Sequence, residues 1–241
     1  MQTISVYDDD KDTNLQNLAT VLTAHAVPKY FDSVVYDAEA TGDDEGIRCY
    51  QDGAVVLRIV MDVSQTTSGR RCFCFKSSNS GFLAFTDGSS ARHSIVDIFD
   101  NCIAIHGNGG SVGTKTDNRD YTVFLTVNDD GQSGIAFGTT STATSKAMNS
   151  FSSSAERSSH PIRVMTFNSY YAIYADLYGF NNSYTAAASL CHYLNTDGSV
   201  VKDMYWACNR VYANVVTPHR VTVNGEQYWA MLYNSVLIKS S

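Results

Sequence analysis

Gly138 to His160 reads GTTSTATSKAMNSFSSSAERSSH, and what this stretch is decides how the rest of the chain divides. Twelve of its twenty-three residues are Ser or Thr, and its only large apolar side chains are Met148 and Phe151. It has neither the alternation of a strand nor the stripe of a helix. On either side lie short β-branched and aromatic runs separated by Gly, Asn and Asp, the pattern of strands and turns. The expected organisation is an N-terminal helix plus antiparallel β domain over 1–137, the Ser/Thr-rich stretch over 138–160, and a Tyr-rich β domain over 161–241. A structureless connection longer than about 15 residues is unusual inside a compact domain. The expectation for 138–160 is therefore an ordered crossover or arm, with Met148 and Phe151 as assembly contacts that pin it to its own sheets or to a neighbouring subunit.

Upstream, one segment has helical periodicity. Leu15, Leu18, Ala19, Leu22 and Ala26 fall on one face, Asp12 or Thr13 supplies a cap, and Pro28 stops the helix. From Tyr30 the pattern turns to strands: YFDSVVY, then GIRCY and AVVLRIVMDV hinged at Asp52-Gly53, then RRCFCFK, GFLAFTD, IVDIF and CIAIHG with a turn at Asp100-Asn101. YTVFLTV and SGIAFG follow, joined through Asn128 to Gly131. Downstream of the polar stretch come PIRVMTF, YYAIYADLYGF, VVKDMYWACNRVYANVV, and a last hairpin, HRVTV to EQYWAML, through Asn224-Gly225. Asn-Gly between alternating segments is the strongest hairpin signal in the chain, because both central positions take positive φ. The TAAAS run at 185–189 fits a short helix or a close-packed strand. The predicted class is mainly β: antiparallel sandwich or barrel halves with one N-terminal helix and short additional helical pieces.

Composition bounds the function. The chain has 241 residues, a net charge of −7 and no basic cluster larger than Arg70-Arg71, which excludes a phosphate backbone as the expected partner. The first residues, MQTISVYDDDKD, turn acidic where a signal peptide would be basic and apolar, and no run approaches a membrane span. The expectation is a soluble protein made in the cytoplasm, with no membrane span. Six cysteines (Cys49, Cys72, Cys74, Cys102, Cys191, Cys208) lie mostly inside apolar runs without disulfide spacing, so buried reduced thiols are expected.

Candidate chemistry is sparse. Gly109-Gly110-Ser111-Val112-Gly113 matches the form of a nucleophile elbow, but TKTDNRD after it is no helix, and the motif works only where a strand turns directly into one. The six histidines (His25, His93, His106, His160, His192, His219) show no metal-ligand spacing. Asp8 to Asp10, Asp43 to Glu45 and Asp129-Asp130 lack the order of a calcium loop. No catalytic residue, cofactor or metal site is expected. Ten of the fifteen tyrosines and both tryptophans follow the polar stretch. Such side chains suit half-buried sheets, subunit interfaces and sugar-stacking platforms. Trp206 and Trp229 are the candidate glycan-stacking residues.

YFDSVVYD near the start, CFCFKSSNSGFLAF in the middle, the Ser/Thr-rich stretch and the closing GEQYWAMLYNSVLIK together resemble virion structural proteins, of tail or baseplate type, from tailed bacteriophages and prophages of gut-type bacteria. The resemblance covers most of the chain and implies a non-enzymatic building block of the particle. It would be a homo-oligomer whose partners are other virion proteins. The alternative is a carbohydrate or receptor-binding module that meets a host surface glycan through the C-terminal aromatic residues.

Overall fold

A computed structural model of the chain describes residues 1–7, 11–38, 46–62, 72–76, 82–85, 93–107, 121–139, 163–166, 190–194, 200–207, 218–231 and 236–240. In chain order they form β1 (Gln2–Tyr7), α1 (Lys11–Ala26), β2 (Ser33–Asp37), β3 (Gly46–Gln51), β4 (Ala54–Asp62), β5 (Cys72–Lys76), β6 (Phe82–Phe85), β7 (His93–Ile98) and β8 (Cys102–Gly107). Then come β9 (Tyr121–Val127), β10 (Ser133–Thr139), β11 (Arg163–Thr166), β12 (Leu190–Leu194), β13 (Val200–Ala207), β14 (His219–Val223), β15 (Glu226–Met231) and β16 (Val236–Lys239).

The helix follows from its stripe. Leu15, Leu18, Ala19, Leu22 and Ala26 are all buried, and polar residues cover the opposite face. It starts at Lys11, so Asp12 and Thr13, the expected caps, lie inside the first turn, where the Asp12 carboxylate still suits the positive end of the helix dipole. Pro28 lacks the N–H needed to continue the ladder. The Ala26 carbonyl instead accepts from the N–H of Tyr30 at 2.8 Å and of Phe31 at 3.3 Å. The sequence pattern starts a strand at Tyr30; this turn drives both rings into the core instead, and β2 begins at Ser33.

Turn chemistry sets the hairpins. Asp52 and Gly53 have φ of 52° and 75°, and Asn224 and Gly225 have 52° and 84°, the doubly left-handed pair that matches strand twist. At the β7–β8 turn, Phe99 N–H donates to Cys102 O at 2.8 Å. At the β9–β10 turn, Gly131 N–H donates to Asn128 O at 2.9 Å and Asn128 N–H to Gln132 O at 2.8 Å.

Three sheets result, in the orders β1-β7-β8-β9-β10-β11, β2-β3-β4-β5-β6 and β12-β13-β16-β15-β14. Every pairing is antiparallel except β10 with β11, which run parallel with Ile135 opposite Val164. The fold is mainly β, as expected, with sandwich-like layers in place of a closed barrel among the described residues. β11 lies beyond the polar stretch yet extends the first sheet, so the 161–241 segment contributes to two sheets. The residues between Thr139 and Arg163, which include most of the Ser/Thr-rich stretch, lie outside the described residues. Met148 and Phe151 lie outside the described residues, as does the TAAAS run.

The first sheet is the middle layer. Ile103, Ile105, Val123 and Leu125 point to one face, into a core shared with α1 and the inner face of the β2–β6 sheet. Cys102, Ala104 and Phe124 point to the other, against Val201, Met204, Met231, Val236 and Ile238 of the third sheet. Burial on both faces explains why CIAI and VFL read as continuous apolar runs.

Gly46 opens β3 at φ 146°, and a Cβ there would stand 2.4 Å from the Ile59 carbonyl oxygen of β4. Gly53 also has positive φ, but its Cβ position is open. Both Ala substitutions carry a backbone penalty of about 1–2 kcal/mol. Gly46→Ala should cost about 1–3 kcal/mol more through overpacking. Urea unfolding of the two variants checks this, and equal midpoints would rule out the close approach as the cause.

Candidate functional site

Alternation places Thr3 of β1, Asp97 of β7, His106 of β8 and Thr122 of β9 on one face of the middle sheet. Thr3 is directly opposite Asp97, and His106 directly opposite Thr122. Ile95, not Asp97, is the direct partner of His106, so the Asp97–His106 contact is a diagonal one across the β7–β8 hairpin.

The side chains form one continuous polar line. Thr3 Oγ1 donates to Asp97 Oδ1 at 2.6 Å, and His106 Nε2 lies 3.0 Å from Asp97 Oδ2. His106 Nδ1 lies 2.7 Å from Thr122 Oγ1. With its Nε2–H donated to the carboxylate, a neutral His106 accepts from the Thr122 hydroxyl at Nδ1; a protonated one donates to both.

Carboxylate, imidazole and hydroxyl in sequence is the order of a hydrolytic relay. Here Asp97 is 0%, His106 1% and Thr122 2% exposed, and the hydroxyl, on the second residue of β9, is buried. A nucleophile must reach a substrate, and this hydroxyl is sealed. What the arrangement does is satisfy a buried carboxylate, which is costly unless paired and hydrogen-bonded. It fastens four adjacent strands side chain to side chain. Asp97→Ala should lower the unfolding free energy by about 3–5 kcal/mol, as removal of one buried partner does. Thr3→Ala, at the partly exposed end, should cost about 1 kcal/mol. Chemical denaturation measures both; equal losses would mean that the carboxylate is not the hub.

The other sequence candidates are dispersed. Trp229 projects to the inner side of the third sheet, its ring tilted at 59° against Phe99 with centroids 6.4 Å apart. The Arg220 guanidinium stands 5.0 Å from the same ring centroid, a cation–π contact. Trp206 lies in β13 opposite Cys191, and its side chain is outside the described part of the chain. On the outer side of the third sheet, Tyr205 and Tyr228 meet edge to face at 5.7 Å. Desolvation raises both phenol pKa values. Beside them Lys239 pairs with Glu226 at 3.3 Å, an exposed contact of small energetic weight.

Gly109 to Gly113, with Ser111, lies outside the described residues, as do Asp8 to Asp10, Asp43 to Glu45 and His160. Asp130 is a turn former: its Oδ1 accepts from Gln132 N–H at 3.1 Å. Among the described residues no group of three His, Cys, Asp or Glu side chains could hold a metal ion, and no helix is long and apolar enough to cross a membrane.

Cys49 and Cys102 are free and buried, and desolvation raises the pKa of both thiols. The thiolate is the reacting form. Native protein at neutral pH should therefore leave both unmodified by iodoacetamide, and unfolding in denaturant should expose them. Peptide mapping reads this directly; rapid native labelling of either would contradict their burial.

Sequence reasoning passed over the Asp97–His106–Thr122 line because none of its spacings is a motif. The usable signal was the turn. Once Asp100-Asn101 is a tight hairpin, the polar intruders of IVDIF and CIAIHG fall on one face and within one diagonal step.

No family model, curated protein or solved structure matches the chain.

Proposed function

We propose that the protein is a non-enzymatic structural and assembly component of a tailed-phage particle, in its tail or baseplate, that engages neighbouring subunits through sheet edges. The observation that carries this reading is the arrangement of the three sheets. Each ends in strands with a single partner among the described residues: β1 and β11, β2 and β6, β12 and β14. Unpaired N–H and C=O groups along an edge recruit another strand unless something covers them. In an assembly, neighbours do the covering. The sealing of the relay-like Asp97–His106–Thr122 line is consistent with the same reading, as is the pattern-level likeness to virion building blocks. Trp229, engaged by Phe99 and Arg220, lends the carbohydrate-binding alternative less support than the open edges lend assembly.

Mass spectrometry of gradient-purified particles from a host carrying the gene tests this. The chain should co-sediment with the particle at a fixed, multiple copy number. Particles that are complete and lack it would overturn the reading.

A further inference from the structure

We propose that β2 is a homotypic contact strand: two copies of the chain pair antiparallel through Ser33–Asp37, with Val35 on the two-fold axis, fusing two five-stranded sheets into one of ten. This rests on reading open edges as assembly surfaces and names a second copy as the partner of one of them.

β2 pairs only with β3 among the described residues, so its far side is a sheet edge. Its alternation is clear. Val34 and Tyr36 turn inward and are packed, half-buried, on the main core, while Ser33, Val35 and Asp37 turn outward. Val35 is 46% exposed, and apart from Met1 no other large apolar side chain stands out among the described residues.

Edges that stay single are usually guarded by Lys, Pro or an unmatched charge. β2 has neither Lys nor Pro, and its one charge, Asp37, is matched by Arg48 of β3 at 3.0 Å. The edge strand β14 differs: its exposed positions are Arg220 and Thr222.

The occupant follows from self-complementarity. With Val35 opposite its own copy, all five residues are paired: Val34 faces Tyr36 on the inner side, and Ser33 faces Asp37 on the outer. A β-branched residue opposite an aromatic one is a favourable cross-strand pair. A Ser hydroxyl can donate to a carboxylate. Sliding the register until Asp37 meets Asp37 sets like charges together and leaves most of the strand unpaired. The two-fold contact also closes, giving a discrete dimer in place of an open chain.

Cross-linking through one introduced cysteine in the full chain tests the register, with wild type reporting any contribution of the six native cysteines. Directly opposed residues of an antiparallel pair have Cα atoms about 4.5–5.5 Å apart, within disulfide range. Under mild oxidation Val35→Cys should give a covalent dimer, and wild type and Val34→Cys should not. In parallel, light scattering should find wild type as a dimer and Val35→Lys as a monomer with an unchanged circular dichroism spectrum. Absence of the Val35→Cys dimer, equal cross-linking at position 34, or a Val35→Lys protein that stays dimeric overturns the proposal. The particle experiment is independent. A chain present in particles yet monomeric sinks only the β2 contact, and a dimeric chain missing from particles sinks only the assembly reading.

Discussion

The rest of the structure depends on the central strands of the middle sheet, β8 and β9, being buried on both faces. They must satisfy two neighbours at once, so odd and even positions both carry core residues, Ile103 and Ile105 toward the helix side and Cys102 and Ala104 toward the third sheet. A buried carboxylate between such strands is costly unless other polar groups pair with it. Asp97, His106 and Thr122 are tolerated there because each completes the next.

The same constraint shapes how the layers are joined. Asn101, in the tight turn between β7 and β8, donates from Nδ2 to Asp203 Oδ2 of β13. Asn128 at the end of β9 bridges to Val201, and Asp129 N–H donates to Val200 O at 3.1 Å. Lys29, just after the helix, reaches the Asp100 carbonyl from the other side. One hairpin end is thus held by both flanking layers, so the turn is a joint of the fold as well as a connection.

Much of this was legible where the cause is local. The helix stripe, the Asp-Gly and Asn-Gly hairpins and the mainly β class follow from spacing and from the φ that particular residues allow. The start of β2 was not, because Tyr30 and Phe31 look like strand residues until the Ala26 carbonyl captures their N–H groups. The membership of β11 in the first sheet was hidden as well, since a parallel partner far along the chain leaves no periodic trace. In the polar line, each residue was visible as an interruption of an apolar run, but its partners were fixed only by a diagonal contact and by pairings between strands.

Asp203 sits at φ 57° inside β13, and Val201 and Met204, three residues apart, both enter the core between the middle and third sheets. Opposite them β12 takes two steps, from Leu194 to His192, where β13 takes five, from Val200 to Tyr205. The strand therefore changes reading frame partway along. Before the slip Val201 faces the middle layer; after it Met204 does, and Tyr205 packs with the buried Tyr228 on the opposite face. The three extra residues shift the strand's alternation by one, which lets Val201 and Met204 enter the same core, and they make the spacing around Asp203 intolerant of insertion or deletion even where the side chain itself could be exchanged.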